Sequence, residues 1–191
     1  MFIVKNDLPR KRALILFGSP HKNGNTARLL STFCEACPLS VDWETWDCFA
    51  HPVHACDDCR YCYRHNGCAK SDLDELYRKL EEADILVVAT PVYNLSYSAP
   101  LKTVIDRTQR YWAARFIRGE KPPIAHPKRA VLLTTAETDR EGGKMVECQL
   151  KPTLTVLNAR LTASVHAVAG EGMEEGLQQA KEAAAVLNCK K

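Results

Sequence analysis

Ala13-Leu14-Ile15-Leu16-Phe17-Gly18-Ser19-Pro20-His21-Lys22-Asn23-Gly24-Asn25-Thr26 is the stretch on which the fold turns. Its first five residues are all apolar, which reads as a strand buried on both faces, and Gly18-Ser19-Pro20 closes that strand with a turn. A helical pattern begins at once. Ala27, Leu29, Leu30, Phe33 and Cys34 share one face over 25–37, and Pro38 stops it.

Outward from this unit the same alternation repeats. Val41–Cys48 sets Val41, Trp43 and Thr45 against Asp42, Glu44 and Trp46, the pattern of a strand with one wetter face. After a cysteine-rich loop, Leu73, Leu76, Tyr77 and Leu80 fall at helical spacing over 73–82. Ile85–Ala89 is a fully apolar strand that ends at Thr90-Pro91. Leu101, Val104 and Ile105 mark a helix beginning near Pro100, where proline suits a first turn. Ala130–Leu133 is a fourth strand and Met145–Leu157 a helix that Pro152 is expected to kink or split. Leu161–Ala169 is a fifth strand, and Leu177–Leu187 a closing amphipathic helix. Five strand–helix pairs with apolar strands predict a parallel sheet covered by helices on both faces. Right-handed crossovers then place every loop after a strand on one edge, where such sheets bind ligands. With no repeat, low-complexity tract or linker, residues 1–191 read as one domain, the cysteine-rich loop 56–68 being inserted after the second strand.

Composition narrows the function. A chain of 191 residues that is 46% hydrophobic and 26% charged has material for a packed core, which argues against disorder. A formal charge of +3 is too small to call for nucleic acid or an anionic membrane. The apolar run Ile85–Ala89 falls far short of the roughly 20 residues of a membrane span. Met1-Phe2-Ile3-Val4, followed by Lys5 and Asp7, lacks the apolar stretch of a signal peptide, so a cytoplasmic location is expected. There the nine cysteines, an odd number, read as thiols or ligands rather than disulfides.

Gly18–Thr26 joins a strand to a helix, so it presents unpaired backbone N–H groups and the positive end of a helix dipole to an anion. Ser19, Asn25 and Thr26 add side-chain donors, and Gly24 permits a tight turn. A Walker A loop is excluded, because five residues separate the glycines and Asn25 stands where lysine is required. The dinucleotide pattern is absent as well. Its nearest approach, Gly170-Glu171-Gly172, lies among Glu171, Glu174 and Glu175, which would repel a pyrophosphate.

Three motifs together resemble one family. Gly18-Ser19-Pro20 with Asn23-Gly24-Asn25-Thr26 resembles the FMN-phosphate loop of the NADPH-dependent FMN reductases and iron–sulfur flavoproteins, a branch of the flavodoxin-like proteins. Thr90-Pro91-Val92-Tyr93, with Leu101-Lys102 and Ile105-Asp106-Arg107 beyond it, is similar to that branch's isoalloxazine loop and following helix. Cys56-x2-Cys59-x2-Cys62-x5-Cys68 resembles its compact cysteine motif. The resemblance implies an α/β, flavodoxin-like three-layer sandwich with a five-stranded parallel sheet in the order 2-1-3-4-5. It implies FMN, with Ser19, His21, Asn25 and Thr26 on the phosphate. Pro91, Val92, Tyr93, Asn94 and Ser96 would line the ring and ribityl chain, with Thr135 and Ala136 on its other side. The stretch Glu137–Glu141 departs from the family pattern, and Tyr93 also reads as an ordinary rim or core aromatic.

Two readings of the cysteines stand side by side. Four within 13 residues can wrap one [4Fe–4S] centre, since three at three-residue spacing approach the bacterial ferredoxin pattern. Alternatively Cys56, Cys59, Cys62 and Cys68 are reduced thiols in a contact loop. Zinc, which favours two separated ligand pairs, is less natural. Cys34, Cys37, Cys48, Cys148 and Cys189 read as plain thiols. Beyond them, Lys102–Arg129 carries eight basic residues interleaved with Tyr111, Trp112 and Phe116. No nucleic-acid module accompanies these, so most of the charges read as a solvated face. The segment also suits the phosphates of a nicotinamide cofactor, or a contact between copies in a homo-oligomer, a dimer or tetramer. The expected activity is an FMN-dependent oxidoreductase taking hydride from NAD(P)H and passing electrons to a small-molecule acceptor. An iron–sulfur electron carrier and a non-catalytic flavin-binding or regulatory module are the alternatives.

Overall fold

The computed structural model describes residues 10–38 and 40–187; Cys189 and the segment Met1–Asp7 lie outside them. In chain order the elements are β1 (Lys11–Phe17), α1 (Asn25–Ala36), β2 (Val41–Asp47), α2 (Tyr61–Arg64), α3 (Asp74–Glu82) and β3 (Ile85–Pro91). Then come α4 (Ala99–Arg107), α5 (Gln109–Phe116), β4 (Lys128–Ala136), α6 (Glu141–Val156), β5 (Ala159–Val168) and α7 (Gly172–Val186). The strands form one parallel sheet in the order β2-β1-β3-β4-β5, as expected of a flavodoxin-like sandwich.

Alternate side chains of each strand enter different cores, which is why the central strands read as unbroken apolar runs. Leu14, Leu16, Leu86, Val88 and Leu132 pack under α3, α4 and α6. Ala13, Ile15, Phe17, Val87, Val131 and Leu133 pack under α1 and α7. The edge strand β2 departs from the simple alternation. Thr45 is exposed, whereas Trp46 is buried and stacks on His51 with ring centroids 4.8 Å apart. An edge strand still closes two cores, so Val41 faces one layer and Trp46 the other. Pro152 neither breaks nor splits α6: it sits on the exposed side, while Leu150 and Leu154 on either side of it are buried.

Register brings the working ends of the central strands level. Thr90 pairs with Thr134 and Pro91 with Thr135, while the Gly18 N–H donates to the Ala89 carbonyl at 2.8 Å. The loops after β1, β3 and β4 therefore leave from one edge.

Candidate functional site

The loop after β1 is fixed from below. A Cβ on Gly18 would lie 2.9 Å from the Leu101 side chain and 3.0 Å from Ser98 Oγ, so only glycine lets the chain cross α4 this closely. Ser19 is buried, and its Oγ accepts the His21 N–H at 3.2 Å, folding the loop back on itself. Gly24 then enters α1 in an extended conformation, and no side chain caps this helix. Its first bond back runs from the Arg28 N–H to the Gly24 carbonyl at 3.0 Å. The first-turn amides are thus the natural seat of an anion. Thr26 is buried, with its Oγ1 2.7 Å from Thr135 Oγ1. Two hydroxyls sharing one hydrogen bond keep one O–H proton for a further acceptor. Asn25 is half-buried and His21 exposed. Lys22 is engaged elsewhere, in an ion pair with Asp47 and 5.3 Å from the Phe17 ring centroid.

Past β3, the Tyr93 N–H donates to the Ser96 carbonyl (2.9 Å) and the Ser96 N–H to the Tyr93 carbonyl (3.0 Å). Asn94 and Leu95 between them have φ of 50° and 59°, a tight hairpin turn of the primed kind. Asparagine suits that region and leucine does not. Gln149 of α6 holds the turn: Ser96 Oγ donates to Gln149 Oε1 (2.8 Å), and Gln149 Nε2 donates to the Leu95 carbonyl (3.1 Å). Pro91 and Val92 are half-buried, while Tyr93 stays 45% exposed at the rim, open to a planar ligand. Behind it the Ser98 hydroxyl is fully buried and finds no partner among the described residues.

On the β4 side the Thr135 carbonyl accepts the Val92 N–H at 2.8 Å, tying the two loops together. Ala136 is half-buried, and its carbonyl takes the Ala169 N–H. The acidic stretch beyond it begins a helix: Asp139 Oδ1 accepts the N–H groups of Glu141 (2.9 Å) and Gly142 (3.4 Å). Gly143 packs so tightly that a Cβ would come within 2.6 Å of both Thr134 Oγ1 and His166 Nδ1. His166 bridges Thr134 (2.8 Å) and Glu147 (3.3 Å), and burial holds its pKa below the ordinary value despite the carboxylate.

The cysteine loop stands apart. Cys56, Cys59, Cys62 and Cys68 line one cavity, together with Lys70, Arg107 and Arg110. Burial pushes the Cys62 thiol up, and the nearby Cys68, Cys56 and Cys59 push it further. Cys62 is therefore near each of the other three. Even so, no group of three or more His, Cys, Asp or Glu among the described residues converges on a single metal position.

The basic segment is less solvated than its sequence implied. Arg107 and Lys128 are buried, Lys128 Nζ donating to the carbonyls of His126 (3.1 Å) and Leu157 (3.2 Å). Arg110 lies over the rings of Tyr77 and Tyr111, at 4.4 and 5.0 Å. Tyr111 belongs to the core, its hydroxyl on Glu81 at 2.8 Å, and so is not contact surface. Trp112 instead packs between the tilted rings of Tyr63 and Phe116, with centroids 6.2 and 5.5 Å away. Ser98 and Gln149 escaped the sequence reading. Ser98 stands just before Ala99-Pro100, a helix-start signal, but Gln149 carries no local signal.

Among known proteins, the family described as NADPH-dependent FMN reductase matches residues 12–174. An iron–sulfur flavoprotein of Archaeoglobus fulgidus is 32% identical over 111 residues, covering 57% of this chain and 50% of the relative. An FMN-dependent NADH:quinone oxidoreductase of Shewanella loihica is 35% identical over 119 residues, 57% of this chain and 59% of that protein. The chain thus spans about half the length of the curated relatives it matches. The solved NAD(P)H:quinone oxidoreductase from Methanothermobacter marburgensis superposes with a TM-score of 0.67 over 96% of this chain and 98% of that one. At 18% identity that likeness speaks for the fold alone.

Proposed function

The chain belongs to the NADPH-dependent FMN reductase family, and from that premise we propose that it is an FMN-dependent oxidoreductase taking hydride from NAD(P)H and passing electrons to a small acceptor. The relative named as an NADH:quinone oxidoreductase makes a quinone the first acceptor to try. The observation that carries the reading is the uncapped α1 N-terminus, seated over buried Ser19 and Thr26 and level with the Tyr93–Ser96 turn. The loop would hold the FMN phosphate through the amides of Asn25 and Thr26 and through the shared hydroxyl proton of Thr26 and Thr135. Pro91, Val92, Tyr93, Asn94 and Ser96 would form one wall for the ring, and Thr135 and Ala136 the floor opposite. Bound FMN supplies the hydride acceptor and the choice between one- and two-electron exit. The protein supplies position, exclusion of water below the ring, and hydrogen bonds.

FMN-loaded protein should oxidise NADH or NADPH when a soluble quinone is added. FMN bound without turnover of either nucleotide would leave the electron carrier or the non-catalytic flavin-binding module instead. Since Cys56, Cys59, Cys62 and Cys68 line one cavity, a second reading adds a [4Fe–4S] centre there. Protein made without oxygen should then contain iron and sulfide in equal amounts. FMN with no iron would make the four residues thiols only.

The described cysteines are free, and no described helix is long and apolar enough to cross a membrane. Exposed Tyr93, Leu95, Met145, Phe116 and Ile117 supply apolar surface for a second copy beside the flavin, in a dimer or tetramer. Light scattering that finds a monomer at micromolar concentration with FMN bound would contradict that part.

A further inference from the structure

Residues 48–73 connect β2 to α3, and only Cys48 and Leu73, at the two ends, are buried. Only the four-residue α2 interrupts them as regular structure. A connection of this length has a large ordering cost, and between its buried ends only Val53 and Cys68 pack, partly buried, against the core. What fixes it comes from outside. Arg107, the last residue of α4, is 2% exposed and heads the largest fully buried side chains of the described protein. Its Nη1 donates to the His54 carbonyl at 2.7 Å, and its Nη2 to the Lys70 carbonyl at 2.9 Å and to Asp72 Oδ1 at 2.8 Å. Asp72 in turn accepts the His54 N–H at 2.7 Å. His54 and Lys70 flank the cysteine motif on its two sides, so one guanidinium closes the excursion at both ends. Arg118 donates to the Cys62 carbonyl in the middle.

We infer that Arg107 is the positioning residue of the cysteine loop, holding Cys56, Cys59, Cys62 and Cys68 around their cavity before any metal arrives. This rests on reading those cysteines as a ligand set. The planar fork of arginine reaches two carbonyls and a carboxylate at once, which a lysine ammonium matches in charge but not in shape. Burial of the guanidinium is compensated at Nη1 and Nη2 by the two carbonyls and Asp72, while its buried Nε finds no partner among the described residues. A loop ordered in this way meets its backbone entropic cost during folding, so metal binding has only to draw together side chains that do not yet converge on one position.

The test uses the full chain, loaded with FMN and stripped of metal, as wild type, Arg107→Lys and Arg107→Gln. Hydrogen exchange is followed at the amides of residues 55–69. In Arg107→Gln these amides should exchange at least about tenfold faster than in wild type, while β3 amides and FMN content stay unchanged. Arg107→Lys should fall between them. Anaerobic reconstitution with iron and sulfide should give wild type its full iron–sulfur absorption, Arg107→Gln less than half of it, and Arg107→Lys a partial rescue. Loop exchange in a folded Arg107→Gln as slow as in wild type would overturn the inference, whatever the iron result. If Arg107→Gln fails to fold, Arg107→Lys decides, and wild-type protection in it overturns the inference equally. Wild-type protein that takes up no iron, beside an Arg107→Gln with a loosened loop, would remove the ligand reading and leave the brace in place.

Discussion

The loop after β1 and the loop after β2 leave the same edge of the sheet and are held by opposite means. Gly18–Gly24 is short, lies directly on Leu101 and Ser98, and runs into a helix whose first turn is empty of side-chain caps. The β2–α3 connection is long, buries only Cys48 and Leu73 at its ends, and is pinned in between mainly by Arg107 and Arg118. The first is fixed by its own neighbours in sequence and by the core; the second is fixed by residues 35 to 56 positions away. A site made in the first way is stiff and survives changes at the surface. A site made in the second way has a few polar pins, each of which can be pulled.

The largest expected difference comes from crowding each loop with one methyl group. Gly18→Ala drives a Cβ to within 2.9 Å of Leu101, which is fully buried, so the core must shift. Overpacking of this kind costs about 1–3 kcal/mol, read as a lower urea midpoint, and FMN affinity should fall with it. Unchanged stability and affinity would mean that the loop does not rest on α4 as described.

Acid should separate the loops next. Burial raises the pKa of Asp72, but the Arg107 guanidinium and the His54 amide and ring outweigh it, holding the carboxyl well below its usual 3.8. A folded value below the unfolded one gives stability that is present above about pH 4 and lost as the pH falls through the folded value. Between pH 5 and pH 3, exchange at residues 55–69, corrected for its intrinsic rate, should rise while β1 and β3 amides remain protected. Asp72→Asn should flatten that dependence. Simultaneous loosening of sheet and loop would show that the pins and the core fail together.

The smallest effect is expected at Gly67, where φ is +108° and nothing lies within 4 Å of an added Cβ. Gly67→Ala meets only the backbone strain of that region, about 1 kcal/mol, with FMN binding untouched. A loss of FMN affinity in this variant would break the separation of the two regions.

The same contrast explains what could be read in the sequence. Ala13–Phe17 followed by Gly18-Ser19-Pro20 is a local signal, and the strand order and the seat of the phosphate loop follow from repeating it. The alternation of β2 misled at Trp46, because an edge strand closes two cores and its period does not say which face is wetter. Tyr111 read as surface and is core, since aromatic residues on a helix look alike until the helix is packed. Arg107 stood in a run of basic residues that predicts solvation, and only the fold brings it between residues 54 and 70. Gln149 was invisible for the same reason: the turn that it holds lies 54 residues earlier in the chain.

The central claim is that FMN is anchored by its phosphate at the α1 N-terminus. A paired titration of FMN and riboflavin against wild type and Thr26→Val tests it most directly. Thr26→Val keeps the shape of a buried side chain and removes the hydroxyl shared with Thr135. A hydrogen bond to a charged phosphate contributes about 1.5–3 kcal/mol, so FMN affinity should fall about tenfold or more. Riboflavin, which has no phosphate, should bind wild type and variant alike. Equal losses for both ligands, or none for either, would contradict the account and put the phosphate elsewhere.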